Sequence, residues 1–151
     1  MQPDSSIETP QGFVRHDRKS AVTDPWEPIW VRPVDQAVQL AVRISPAHCN
    51  ARGFLHGGVI ASLADNAMGL TLARSTGSSA VTVSLTVDYV RSAGPGQWLQ
   101  IEPRVIRAAG KLGFVDALVT ADGETIARAN ATFRVVEARA AGAAGAAGTG
   151  A

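Results

Sequence analysis

Residues 58–74, GVIASLADNAMGLTLAR, restrict the fold more than any other stretch of the chain. Val59, Ile60, Leu63, Ala64, Ala67, Met68, Leu70 and Leu72 recur at helical spacing and cover most of the circumference. Such a helix cannot simply lie on a surface; it has to be enclosed. At 1.5 Å per residue it is ~24 Å long, and the chain carries strands long enough to wrap it. Segments 79–90, 97–108, 112–121 and 124–136 are strand-like and follow one another through GPG at 94–96, Gly110 and the Asp122-Gly123 pair, a strong hairpin signal. A further strand at 37–44 alternates Val38, Leu40, Val42 and Ile44 with Gln39, Ala41 and Arg43. Consecutive strands joined by short turns pair antiparallel. The predicted fold is therefore α+β, one long central helix from Gly58 to about Arg74 wrapped by a curved five-stranded antiparallel sheet. Period-two alternation in SAVTVSLTVDYV places Val81, Val83, Leu85, Val87 and Tyr89 on one face.

With 151 residues, 46% of them hydrophobic, the chain supports one such domain. We expect it over 24–136, preceded by a polar, loosely held arm over 1–23 and followed by a mobile Ala/Gly tail over 137–151 that can bury almost nothing. Between arm and domain, DPWEPIW is too apolar for a free linker, and Trp26, Ile29 and Trp30 are expected to dock on the core in preference to lining a ligand pocket.

The charge pattern narrows the function. Fourteen basic and thirteen acidic residues give a net charge of +1 with no basic block, which argues against nucleic acid. No segment approaches the roughly 18 uncharged apolar residues of a membrane span, and no secretory leader is evident. One cysteine, Cys49, cannot form an internal disulfide and fits a reducing compartment. A cytoplasmic location is expected.

Gly58, Ser62, Asp65, Asn66 and Gly69 fall in one narrow sector of the helix, a polar and small-residue stripe on a greasy cylinder. An ionised Asp65 is tolerable there only if it is hydrogen-bonded or reaches a wet cleft. Fixing register against a loop or a neighbouring subunit is one role for it; chemistry is the other. At the helix start, where a cap residue is usual, stand His56, Gly57 and Gly58. The glycines offer no side chain to cap the first amides and none to keep a ligand away, so these donors and the helix dipole suit an oxygen that develops negative charge. Thioester cleavage needs such a donor and a base or nucleophile, and has less need of a general acid because a thiol of pKa ~8.5 leaves readily. Gly57 N–H as donor and Asp65 as base would suffice. They are too far apart on one helix to serve one carbonyl, which predicts composite sites formed by a two-fold pairing of subunits.

HCNARGFLHGGVIASLADNAMG, with its N-x5-HGG-x6-D spacing, resembles the helix-entry motif of the hotdog-fold thioesterases of the phenylacetic-acid-pathway (PaaI-like) type. DPWEPIW, VTVSLTVDYVRSA and ARANATFRV resemble the same group, over about residues 24–136. The resemblance implies hydrolysis of acyl- or aryl-CoA thioesters, with Asp65 as general base or nucleophile and Gly57 N–H polarising the carbonyl. It further implies that His56 orients the loop, that Asn50 positions substrate or water, and that Thr82, with Ser84 as its neighbour on the same face, stands near the attacking water. It favours Gly58, Arg91, Arg107, Gly110 and Lys111 as substrate-binding positions, the cations among them for the phosphates of coenzyme A. Members are homodimers or dimer-of-dimers homotetramers and use no cofactor, coenzyme A being part of the substrate. Two weaker readings are a metal held by His48, Cys49, His56 and Asp65, whose spacing matches no known site pattern, and a Cys49–His56 nucleophile pair, which sits on one Gly-rich loop without an evident orienting partner. A non-catalytic acyl-CoA-binding or sensing protein on the same fold remains the alternative.

Overall fold

The computed structural model describes residues 8–138. The expected arm over 1–23 is described from residue 8, and all but the first two residues of the expected tail over 137–151 lie outside the described range. One long helix, α1 (Gly57–Thr76), packs against one antiparallel sheet. The strands are β1 (Val14–Arg15), β2 (Trp30–Val34), β3 (Ala37–Arg43), β4 (Ser79–Tyr89), β5 (Trp98–Ala109), β6 (Leu112–Ala121) and β7 (Glu124–Val136). Their order across the sheet is β1-β2-β3-β5-β6-β7-β4.

Among the described residues the sheet has seven strands where five were expected. β3 to β7 and α1 stand within two residues of their expected bounds; β1 and β2 are the additions. β1 is two residues long, too short to display a period, and β2 contains Pro33, which breaks a strand pattern in sequence but is tolerated toward the margin of a sheet. The Asp122-Gly123 hairpin forms as expected: both residues take positive φ (47° and 83°), the requirement of a tight two-residue turn.

α1 buries Val59, Ile60, Leu63, Ala64, Ala67, Met68, Thr71 and Leu72 against the concave side of the sheet. Thr71 is the one polar member of that set, and its hydroxyl accepts the Val38 N–H at 2.9 Å, tying the helix to β3. Gly113 lets β6 run directly beneath Leu72, since a Cβ at this position would collide with the leucine side chain. The helix ends at Gly77, whose φ of 67° is the left-handed conformation that closes helices. The stripe of Gly58, Ser62, Asp65, Asn66 and Gly69 stays only half-covered or open.

β4 departs from simple alternation. Its register with β7 slips between Thr82, opposite Phe133, and Ser84, opposite Thr132, so Val83 is an extra residue in the strand. The bulge reverses the inside-outside order. Leu85, Val87 and Tyr89 keep the inner face, but Val81 and Val83 turn outward and are 54% and 62% exposed. The expected single face of five apolar residues is therefore corrected to three, and Thr82 takes an inner position while Ser84 takes an outer one. β4 is also the last strand of the sheet, with one edge unpaired among the described residues.

The N-terminal arm is held to the domain along its described part. Val14 and Arg15 pair with Val31 and Trp30, and Phe13 is buried on the outer face of the sheet, edge-on to Trp98 at 5.5 Å. Ile29 joins the main core, with Trp26 packed against it, and Trp30 covers the Phe13–Trp98 cluster.

Candidate functional site

Asp65 sits halfway along α1, where its side chain meets the start of β4. Thr82 Oγ1 donates to Asp65 Oδ1 at 2.7 Å. The carboxylate is half-buried and lines a cavity of about 270 Å³ between the helix, β4 and the N-terminal arm. It therefore meets both conditions for a charge on an apolar helix, a hydrogen-bond donor and a polar opening. Ser84 points to the opposite face and does not compete with Thr82, because the Val83 bulge separates them.

The helix start is organised differently from the sequence expectation. His56 is itself the cap: its Nδ1 accepts the Gly58 N–H at 2.8 Å. This corrects the expectation of two bare glycine amides. Gly58 N–H is occupied, whereas Gly57 N–H has no acceptor among the described residues. Because Nδ1 accepts, neutral His56 carries its proton on Nε2 and presents a second N–H donor on its far side. Tyr89 at the end of β4 donates its hydroxyl to the Gly57 carbonyl at 2.7 Å. Its ring lies against Gly57 so closely that a Cβ there would stand 3.0 Å from Tyr89 Cζ. Burial pushes the Tyr89 phenol above its ordinary pKa, so it stays a neutral donor. In the sequence Tyr89 shows only as the last member of a core-facing row; its hydroxyl at the end of that row is the one signal of this contact.

Asn50 shapes the loop before the helix. Its Oδ1 accepts the N–H groups of Arg52 (2.9 Å) and Phe54 (3.3 Å). Its side-chain oxygen is thus engaged in the turn, and only its amide nitrogen remains for other partners. His48 is buried, bonded through Nδ1 to Ser45 and through Nε2 to the Trp26 carbonyl, and Cys49 Sγ donates to the Ser45 carbonyl. Among the described residues no group of three metal-ligating side chains converges.

Within one protomer the expected residues form two groups. Gly57, His56 and Gly58 lie at the helix N-terminus; Asp65, with Thr82 of β4 beside it, lies eight residues further, about 12 Å along the axis. The expected phosphate-binding positions also separate. Arg91 follows β4 at the Gly57 end and pairs with Glu124 at 2.7 Å. Arg107, Gly110 and Lys111 stand at the β5–β6 turn, the end of the sheet at which Gly113 meets Leu72.

A long helix packed on an antiparallel sheet is the frame that holds the threonine-bound Asp65 at its middle and the Gly57 amide at its start. The chain belongs to the thioesterase superfamily, whose model matches residues 52–127. A Pseudomonas aeruginosa protein named a "Putative esterase" is 30% identical over 132 residues, covering 85% of this chain and 98% of that protein. Human acyl-coenzyme A thioesterase 13 is 32% identical over 94 residues, 60% of this chain and 67% of that one. The hotdog fold is shared with the E. coli PaaI protein of the phenylacetic acid degradation operon (TM-score 0.72, 21% identity, 79% of this chain and 86% of that one). It is also shared with a hypothetical thioesterase from Streptococcus pneumoniae solved with coenzyme A (TM-score 0.71, 22% identity, 76% and 94%). No helix among the described residues is long and apolar enough to cross a membrane.

Proposed function

We propose that the protein hydrolyses acyl- or aryl-CoA thioesters to the free acid and coenzyme A, at composite sites formed between two subunits. The observation that carries this reading is the Asp65–Thr82 pair facing a cavity. Thr82 holds one carboxylate oxygen, and the other is left to activate water or to attack the carbonyl carbon itself. In the water route the water oxygen bonds to the carbonyl carbon as its proton passes to Asp65. The carbonyl oxygen takes negative charge against the Gly57 N–H of the neighbouring subunit. The C–S bond then breaks and coenzyme A leaves as thiolate. His56 orients the Gly57–Gly58 turn and offers Nε2–H to the carbonyl or sulfur, Asn50 positions substrate through its amide, and Gly58 keeps the approach open. Arg91, Arg107 and Lys111, with the Gly110 turn, receive the phosphates of coenzyme A. The chemistry calls for no cofactor, and a single unpaired cysteine suits a reducing, cytoplasmic setting.

Two features support the pairing. The free edge of β4 lies beside the open stripe of the helix, and an unpaired strand of eleven residues with exposed Val81 and Val83 is a template for strand addition. Joining two such edges about a two-fold axis would set a neighbour's Gly57 against Asp65. Exposed Phe114 and Leu118 on the outer face of β6 would serve association of dimers into tetramers.

The test is a panel of acyl-CoA thioesters with a thiol-reactive dye. Release of coenzyme A that Asp65→Asn abolishes is the expected result. Tight binding without turnover would replace hydrolysis by an acyl-CoA-binding function.

A further inference from the structure

We infer that the acyl pocket selects an acyl group that ends in an anion, a dicarboxylic half-thioester, and that Arg18 of the N-terminal arm is the residue that recognises it. The inference rests on the thioesterase reading of Asp65 and adds the class of acyl group.

The cavity at Asp65 is not closed by the helix and sheet alone. Its floor includes Leu40 and Phe133, one side carries Asp65 and Thr82, and the arm supplies His16 and Arg18 on the remaining wall. The arm is anchored at this place: His16 N–H donates to the Ile29 carbonyl at 2.8 Å, directly after the β1–β2 pairing. Asp65 is the one carboxylate among the described lining residues, and its Oδ1 is engaged by Thr82. The two arm cations that flank this segment, Arg15 and Lys19, both pair with Glu27 at 3.5 and 3.4 Å. Arg18, between them in sequence, makes no ion pair among the described residues. An exposed guanidinium with no ion-pair partner among the described residues, at the wall of a cavity whose one described acid has Oδ1 held by Thr82 and Oδ2 turned to the chemistry, leaves a site for a carboxylate brought by the substrate. Arginine is suited to that task because its planar fork matches two carboxylate oxygens. At about 270 Å³ the cavity falls just below the roughly 300–1,000 Å³ of drug-sized sites. Within one protomer it has room for a short acyl chain with a polar end.

The experiment compares a short straight-chain dicarboxylic half-thioester of coenzyme A with the monocarboxylic thioester of equal carbon count, on the full chain. Turnover and binding are both measured, binding on Asp65→Asn by calorimetry. Wild-type protein is expected to favour the dicarboxylic thioester about tenfold or more in kcat/KM and in affinity. Arg18→Gln is expected to bring both ratios close to one, and Arg18→Lys to restore part of the preference. Equal turnover of the two thioesters, or a ratio untouched by Arg18→Gln, overturns the inference and leaves thioester hydrolysis standing. Preferential binding of the dicarboxylic thioester without turnover of either upholds the selection and sinks hydrolysis. Binding of neither overturns both.

Discussion

Thr82 Oγ1 donates a 2.7 Å hydrogen bond to Asp65 Oδ1, and the bulge at Val83 is what turns the threonine toward the helix. A hydrogen bond to a charged group contributes about 1.5–3 kcal/mol, so Thr82→Val should lower kcat by at least tenfold. KM should change little, and Thr82→Ser should recover most of the rate. Steady-state kinetics on the three proteins check this; equal losses in valine and serine variants would contradict a role for the hydroxyl.

Asp65→Asn keeps the shape of the side chain and removes its capacity to take a proton. A positioned base contributes roughly 10²–10⁴ in rate, and a loss of that size in kcat is expected. The side chain is only half-buried, so the unfolding free energy should move by less than about 1 kcal/mol. Turnover near wild type in a clean preparation would remove Asp65 from the mechanism.

Tyr89 acts on Gly57 from behind, as a positioning residue. Deleting its hydroxyl costs about 1 kcal/mol of hydrogen bonding, so Tyr89→Phe should reduce kcat about fivefold with KM nearly constant. Gly57→Ala drives a methyl into the Tyr89 ring and should reduce kcat further while the helix remains. The raised pKa of Tyr89 also gives a sign for alkaline stability. Above about pH 10, the ordinary tyrosine value, the unfolded chain has released this proton and the folded one has not. Stability therefore falls as pH rises from there toward the folded-state pKa. The slope of melting temperature against pH in this window should be shallower in Tyr89→Phe.

Gly113 and Leu72 set how closely the helix approaches the sheet. Gly113→Ala overfills that contact, and overpacking of a core typically costs about 1–3 kcal/mol. Denaturant unfolding should show a loss in this range, partly recovered by adding Leu72→Ala in the same chain.

Replacing Val81 and Val83 together by lysine places charge along the free edge of β4. Sedimentation should then show monomers at concentrations where the wild type is dimeric, with circular dichroism unchanged and thioesterase activity lost. A fully active monomer would show that one protomer completes the site.

The apolar helix, the turns and four consecutive strands were legible because each depends on local periodicity or turn chemistry, and the Asp122-Gly123 hairpin formed for the reason its residues suggest. The spacing of His56, Gly57 and Asp65 was legible for the same reason, since helical geometry converts it directly into positions. β1 and β2 were not, because a two-residue strand has no period and Pro33 hides the other. The capping of Gly58 by His56 was missed because it depends on a side-chain rotamer at the helix entry.

Sequence by itself determined that a mostly apolar helix carrying a carboxylate had to be enclosed by a sheet, since hydrophobic burial and helical period act residue by residue along the chain. Only tertiary structure decided which hydroxyl meets that carboxylate. The strand β4 has one residue more than its partner strand accommodates, and where the surplus is absorbed depends on pairing with β7, some fifty residues away. Absorbing it at Val83 sends Thr82 inward and Ser84 outward. The arm's approach to the same cavity was decided in the same way, by pairing between distant segments that no local pattern records.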